Sequence, residues 1–230
     1  MKLFFNKSNS SVFILLIFLI NLSCGGGSGG SNTTSNISTN NTSNTVNATL
    51  TETATYTLTF KADWSASTHP VDFPSSPHFS GLIGLSHNSN TKIWNTGELS
   101  STGIKSMAET GSKSSLSSEI NTIISNGHAN ATISGGGVGT SPGNVTITFS
   151  TNNIFPLISV VSMIAPSPDW FIGVNSTNLM ENGSFIPTKT IDLYPYDAGT
   201  DSGSGYTSSN SATSPAENIF QITNNMIWFA

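Results

Sequence analysis

Leu157-Ile-Ser-Val-Val-Ser-Met-Ile-Ala165 is a nearly continuous apolar run, and Pro-Ser-Pro-Asp-Trp-Phe-Ile-Gly-Val (166–174) follows it directly. A run rich in β-branched residues without polar alternation is typical of a strand buried on both faces. The two prolines fix their φ angles, so the turn after the run is stiff and gives Asp169 a set direction. The stretch therefore predicts a central strand, a rigid turn that carries a carboxylate, and a second strand over 171–174.

Other segments predict a β-sandwich around this centre. Alternating apolar and polar residues over Thr53–Trp64 and Val145–Phe149 indicate half-buried strands. Apolar spacing and terminal glycines predict short helices over Thr102–Glu109 and Ser114–Ser125. Ser80–His87 is predicted to be a strand or a buried turn, and short strands are predicted at Thr91–Trp94 and Thr188–Leu193. Ile219–Ile222 and Met226–Phe229 are predicted to be edge strands or extended termini, whereas Ala129–Val138 is predicted to be irregular. The fold class is mainly β, an antiparallel β-sandwich with one or two short helical insertions.

The composition excludes some partners and some kinds of site. Only 8% of the 230 residues are charged, the net charge is −5, and there are seven Lys and no Arg. Arg is the residue best suited to bidentate phosphate contacts, and a negative net charge repels a polyanion, so we expect no nucleic-acid partner. The single cysteine, Cys24, excludes a disulfide or a cysteine-based zinc site within one chain.

The amino terminus is typical of an exported protein. Lys2 and Lys7 precede an apolar core over 12–22, which is too short for a membrane span, and residues 1–23 are predicted to be a signal peptide. A small residue before Cys24 and glycines after it resemble a bacterial lipoprotein signal, in which the cysteine is lipidated after cleavage. The alternative is an ordinary secretory signal with an incidental cysteine.

A polar tether follows the predicted anchor. Residues 24–51 are almost entirely Gly, Ser, Thr and Asn, with too little apolar surface to offset the entropy of ordering, so we expect disorder. A folded domain is predicted over 52–230. Together these features predict a cell-envelope protein, lipid-anchored to a membrane and displayed from the outer membrane or the cell surface.

Acidic residues concentrate just after the central strand. Four of the six Asp residues, Asp169, Asp192, Asp197 and Asp201, lie between 165 and 203. Hard cations such as Ca²⁺ take six to eight oxygen ligands from carboxylates, carbonyls and water, which two loops of this kind can supply. There is no EF-hand pattern, and Asp also forms turns and caps. The spacing therefore leaves both a cation site and a purely structural role open.

Two motifs carry a resemblance to a known family. Ala-Pro-Ser-Pro-Asp-Trp-Phe-Ile-Gly-Val (165–174) and Asp-Leu-Tyr-Pro-Tyr-Asp-Ala-Gly-Thr-Asp-Ser-Gly (192–203), in this order, resemble the spondin amino-terminal domain found in F-spondin and mindin. Shorter upstream matches include Phe60-Lys-Ala-Asp-Trp64 and Ser86-His87, and the resemblance runs from about Tyr56 to Ile222.

The resemblance implies a β-sandwich with one Ca²⁺ bound on its loops. The calcium carboxylates of the family correspond to Asp169 and Asp197. A third family ligand, an acidic residue on the strand before the apolar run, corresponds to Ser150 in an ungapped alignment, which offers only a hydroxyl or carbonyl oxygen. Asp201 is nearby, but no family ligand corresponds to it.

The resemblance also implies a non-enzymatic role in adhesion or recognition, with an unidentified surface protein or glycan as the ligand. Two alternatives stay open: a metal-assisted hydrolase that uses the Asp cluster, and a structural envelope lipoprotein without a specific ligand. A serine nucleophile at Ser86 is disfavoured because Gly84-Leu-Ser-His-Asn88 lacks the last glycine of a nucleophile elbow. His87, Trp94 and Glu109 are predicted to pack and to hydrogen-bond rather than to catalyse. At least one of Trp170 and Phe171 is predicted to be buried; the alternative is an exposed rim beside the ion.

Overall fold

The computed structural model describes residues 1–8 and 51–223. Within them are thirteen strands and two helices: β1 (Lys2–Lys7), β2 (Thr53–Ala62), β3 (His78–Phe79), β4 (Ile83–His87), α1 (Thr102–Thr110), α2 (Ser114–Ser125), β5 (Ala129–Ser134), β6 (Gly143–Asn152), β7 (Leu157–Ala165), β8 (Trp170–Asn178), β9 (Met180–Glu181), β10 (Ser184–Phe185), β11 (Thr188–Asp192), β12 (Pro195–Asp197) and β13 (Phe220–Gln221).

Two antiparallel sheets form the β-sandwich that the sequence predicts. The smaller sheet has the order β11-β1-β2-β6, and the larger has the order β13-β12-β8-β7-β4-β5, with β3 paired to β7. The short strands β9 and β10 form a separate two-stranded hairpin. All strand pairs are antiparallel, so the prediction of fold class is confirmed.

β7 is buried on both faces because each face meets a different layer. Ile158, Val160 and Ile164 belong to the core between the two sheets. Val161 and Met163 face the second core, which packs the larger sheet against α1 and α2. Successive side chains of a strand point to opposite faces, so a strand between two apolar layers needs an apolar residue at nearly every position.

The helices lie where the apolar periodicity predicts them, and they approach each other closely. Ser101 caps α1 by accepting a hydrogen bond from Ile104 N, and it donates one to a carboxylate oxygen of Glu119 on α2. The other oxygen of Glu119 accepts a hydrogen bond from Gly103 N at 2.7 Å. A Cβ on Gly103 would lie 2.7 Å from the Cα of Leu116, so a glycine is required at this helix crossing.

Three predictions about strands were wrong or incomplete. Residues 91–94 are not a strand; their turn instead places Ile93 and Trp94 in the core beside the helices. Ala129–Ser134 is the strand β5, which pairs along β4 and alternates apolar with polar residues, so only the glycine-rich part after it is irregular. Residues 2–7, inside the predicted signal peptide, form β1 between β2 and β11, with Leu3 and Phe5 buried.

Several predicted features lie outside the described residues. They are the apolar core of the signal peptide, Cys24, the polar tether up to Leu50, and the strand predicted at Met226–Phe229. Among the residues that are described, no helix is long and apolar enough to cross a membrane.

Candidate cation site

Asp169 lies in the tight turn between β7 and β8. The hydroxyl of Ser167 closes the turn by donating to Ile164 O at 2.6 Å and accepting from Trp170 N at 3.1 Å. The side chain of Asp169 is fully buried. Its direction is therefore fixed by the end of the central strand, as the prolines of the turn predict.

Asp197 reaches the same place from the end of β12. It stands opposite Trp170 in the β8–β12 pairing, and Ala198 N donates to the backbone carbonyl of Asp169 at 3.2 Å. The indole Nε1 of Trp170 donates to Asp197 Oδ2 at 3.1 Å, and Gly199 N donates to Asp197 Oδ1 at 2.7 Å. Strand pairing and two hydrogen bonds therefore hold this second carboxylate beside the first.

The two oxygens of Asp169 have different surroundings. Oδ2 accepts three hydrogen bonds, from Thr200 N at 2.7 Å, Thr200 Oγ1 at 3.2 Å and Asp201 N at 3.0 Å. Oδ1 is buried and has no hydrogen-bond partner among the described residues. A buried carboxylate oxygen without a partner is energetically costly unless a proton or a cation satisfies it.

Burial and neighbouring charges raise the cost of ionising both carboxylates. Burial raises the pKa of Asp169 above its ordinary value, against the hydrogen bonds that Thr200 and Asp201 donate. Burial, and next the charge of Asp169, raise the pKa of Asp197 to about 7. Two buried like charges favour a shared proton or a bound cation between them.

The remaining predicted site residues are placed differently. Asp201 is buried, but its Oδ1 accepts from Gly203 N and its Oδ2 from Ser211 N, so its carboxylate closes the 201–211 loop. Asp192 lies on β11, largely exposed, with an ion pair to Lys2 at 2.9 Å.

The structure does not bring Ser150 to the Asp pair. Its exposed hydroxyl is 3.0 Å from that of Thr55, on the solvent side of the smaller sheet. The Asp pair lies by the other end of β6, since Ser141 donates to Trp64 O there and Tyr206 packs on both Trp64 and Trp170. Ser150 is seven residues along β6 from Gly143, roughly 24 Å at the usual rise per residue. The ungapped alignment therefore picked a residue that this fold holds away from the site.

Sequence reasoning missed Glu217, which closes the other side of the site. Its backbone N donates to Gly199 O at 2.8 Å, and its charge contributes to the raised pKa of Asp197. It lines a cleft of about 240 Å³ together with Asp197 and Asp201. Within the described residues, however, no three His, Cys, Asp or Glu side chains are grouped so that they could hold one metal ion. The candidate cation site therefore rests on two carboxylates, Asp169 and Asp197.

The other candidate residues have structural surroundings. Trp170 and Phe171 are both fully buried, so the exposed rim is excluded. His87 is buried between Asn88 O and the Ser159 hydroxyl, each 2.8 Å from a ring nitrogen, and burial lowers its pKa. Ser86 is buried in β4 rather than displayed on an elbow.

The comparisons with known proteins agree with this architecture. The Spondin_N family model matches residues 54–227. The chain belongs to the spondin amino-terminal domain family. It is 34% identical to Spondin-2 of Rattus norvegicus over 166 residues, which are 70% of this chain and 50% of the relative. It is 36% identical to Spondin-1 of Gallus gallus over 167 residues, which are 70% of this chain and 21% of the relative. The chain thus spans about half the length of Spondin-2 and about a fifth of Spondin-1.

Proposed function

We propose that this spondin domain binds one Ca²⁺ through Asp169 and Asp197 and acts as a non-enzymatic adhesion or recognition module at the cell surface. The observation that carries the calcium proposal is the buried Oδ1 of Asp169, which has no hydrogen-bond partner among residues 1–8 and 51–223, beside a second buried carboxylate. Carboxylate oxygens are the preferred ligands of Ca²⁺, and a divalent cation removes the repulsion between the two groups.

The ion would join two loops that are far apart in sequence. Asp169 belongs to the β7–β8 turn, and Asp197 begins the loop that leads to β13. The loop after Asp197 is anchored on Asp169 Oδ2 through Thr200 and Asp201. A cation held by both carboxylates would therefore fix the shape of the surface formed by residues 197–217, which we propose as the surface that meets a protein or glycan ligand.

Thermal unfolding tests the calcium proposal. At a Ca²⁺ concentration about 100-fold above Kd, binding to the folded state adds about 2.7 kcal/mol of stability. For a domain of this size, that raises the Tm of the EGTA-treated protein by roughly 5–10 °C. Asp169→Asn and Asp197→Asn should each abolish the shift, while Asp192→Asn, on an exposed aspartate of the same stretch, should keep it. An unchanged Tm in the wild type would exclude the site.

We propose further that Cys24 is lipidated after removal of residues 1–23, and that residues 24–51 tether the domain to the envelope. The sequence of the signal and the polar composition after it support this proposal. In a bacterial host with lipoprotein processing, the wild type should enter the detergent phase on extraction, and Cys24→Ser should leave it. A wild type that partitions into the aqueous phase would refute the anchor without bearing on calcium.

A further inference from the structure

A second cleft opens beside Trp94, away from the carboxylate pair. Its volume is about 330 Å³, within the range of roughly 300–1,000 Å³ that is typical of small-ligand sites. Side chains alternate faces along a strand, so Tyr196 points to the opposite side of β12 from the buried Asp197 and packs towards the second core. The loop after β4, the strand β8 and the segment that joins β11 to β12 supply the main lining residues of this Trp94 cleft, which are Trp94, Asn95, Gly173, Asn175, Tyr194 and Tyr196.

The floor of the Trp94 cleft is open because residue 173 is a glycine. A Cβ there would lie 2.7 Å from Val160 O on the neighbouring strand, so β8 cannot carry a side chain at this point. The indole of Trp94 lies over the same position, with its Cζ2 3.4 Å from the place of that Cβ. In an indole, Cζ2 is bonded to the ring carbon that also carries Nε1. The N–H edge of Trp94 is therefore beside the floor of the cleft.

The Nε1 of Trp94 is a buried donor that the fold leaves unused. Trp94 is only 6% exposed, and its Nε1 has no hydrogen-bond partner among residues 1–8 and 51–223. A buried Trp N–H usually has an acceptor, because an unpaired buried donor costs free energy. A ligand that brings an oxygen acceptor into the cleft would remove this cost.

Two tyrosines form an aromatic wall of the cleft. Tyr194 is 48% exposed, and Tyr196 packs on Trp94 with the ring centroids 4.8 Å apart. The pKa of Tyr196 is raised, first by burial and then by the charge of Tyr194, which shows that the two phenol groups are neighbours. The wall therefore offers ring faces and polar phenol tips in one place.

Two asparagines supply fixed polar groups beside the aromatic wall. Asn175 Nδ2 donates to Asn95 Oδ1 at 3.3 Å, and Asn175 Oδ1 accepts from Ser176 Oγ at 2.9 Å. These bonds orient both amides. They also leave hydrogen-bonding capacity on each, because a side-chain amide has two donor hydrogens and two acceptor lone pairs.

We propose that the Trp94 cleft binds a neutral hexopyranose unit of a glycan. A pyranose ring has an apolar face of C–H groups, which packs on an aromatic ring, and a rim of hydroxyls, which donate and accept hydrogen bonds. Asp192 alone is charged among the described residues that line the cleft, so an anionic ligand is disfavoured. β8 and β12 each pair with a strand on both sides, so a peptide cannot add there as a further strand. This site goes beyond the proposed ligand surface at 197–217 and does not depend on Ca²⁺.

Saturation-transfer-difference NMR on the full chain in EGTA tests this proposal with four probes, the methyl glycosides of glucose, galactose, mannose and N-acetylglucosamine. We expect at least one of them to bind with a Kd of about 1–10 mM, the affinity expected of so small a ligand. Methyl glucuronide, a charged counterpart, should bind more weakly. A folded wild type that binds none of the four overturns the proposal. Binding that requires Ca²⁺ also overturns it, because the glycan would then belong to the calcium-dependent surface.

Substitutions locate the bound glycoside. Tyr194→Ala should weaken its binding by about tenfold or more, as loss of an aromatic ring at the centre of a binding site does, whereas Tyr194→Phe keeps the ring and should keep most of the affinity. Trp94→Phe, which removes the Nε1 donor, should also weaken binding. Phe220→Ala is the matched control, because it removes a ring that is 37% exposed outside the cleft.

Tyr194 is exposed, so its variants decide the question even if Trp94→Phe unfolds. Equal affinities of the wild type and Tyr194→Ala, or a loss of affinity in Phe220→Ala alone, would overturn the site. Because every titration is made in EGTA, none of these outcomes bears on the calcium proposal.

Discussion

At the scale of single residues, Asp169 and Asp197 determine what the site can do. One oxygen of Asp169 holds the 200–201 backbone, and the other is left unpartnered among the described residues. Asp197 receives hydrogen bonds from Trp170 and Gly199 and still has a raised pKa, because burial and the charge of Asp169 outweigh those donors. The pair is therefore assembled at an electrostatic cost that a divalent cation would offset.

This cost predicts an unusual pH dependence of stability in the absence of Ca²⁺. The folded-state pKa of Asp197, about 7, lies above the ordinary value of 3.8, so the folded protein holds its proton more tightly than the unfolded chain does. The contribution to stability is greatest at acid pH and is lost as pH rises from about 4 through 7. In EGTA, we expect the Tm of the wild type minus the Tm of Asp197→Asn to decrease as the pH rises from 5 to 8. Saturating Ca²⁺ should remove the fall, and a difference that rises with pH in EGTA would contradict the assigned environment.

The sequence predicts the two carboxylates because both lie in motifs with rigid or tight-turn neighbours. It does not predict Glu217, which lies in a loop of small residues and is brought to the site by its backbone pairing with Gly199. The structure places Ser150 away from the Asp pair, and an ungapped alignment carries no information about which end of β6 meets the loops. Contacts made by strand ends depend on the register of the whole sheet.

At the scale of elements, the sequence pattern alone predicted the strands and helices whose buried faces are set by their own residues. The continuous apolar run gave β7, and helical spacing gave α1 and α2, because each element packs a face that its own sequence encodes. β5 was missed because the glycines that follow it, at 135–137, led the whole of Ala129–Val138 to be interpreted as irregular, although Ala129 and Ile133 alternate with polar residues and are buried. β1 was missed because its residues, Lys2–Lys7, supply the two lysines that precede the apolar core of a predicted export signal.

The crossing of α1 and α2 supports a prediction about stability alone. An added methyl group at Gly103 meets Glu119 and the backbone of Leu116, neither of which can move freely. Gly103→Ala should lower the free energy of unfolding by about 1–3 kcal/mol, the usual range for overpacking. Gly139→Ala, where a Cβ meets nothing within 4 Å, is the matched control. Urea denaturation measures the free energy of unfolding of both variants. A Gly103→Ala variant as stable as Gly139→Ala would show that the two helices can move apart without a loss of stability.

At the scale of the whole molecule, the sandwich brings the proposed cation site and the loops around it to one end of the strands. The turn that holds Asp169 and the loop after Asp197 both emerge there, and the aromatic cluster of Trp64, Trp170 and Tyr206 packs beneath them. The helices cover the outer face of the larger sheet, so the part of that face beneath them is not available to a ligand. This division between a rigid body and shaped loops suits a recognition module.

Isothermal titration calorimetry, with Ca²⁺ titrated into the EGTA-stripped protein at pH 7.5, tests the central claim most directly. We predict one saturable site per chain, lost in Asp169→Asn and retained in Asp192→Asn. A folded wild type that binds no Ca²⁺ up to millimolar concentrations, or an Asp169→Asn variant that binds it as the wild type does, would contradict the account.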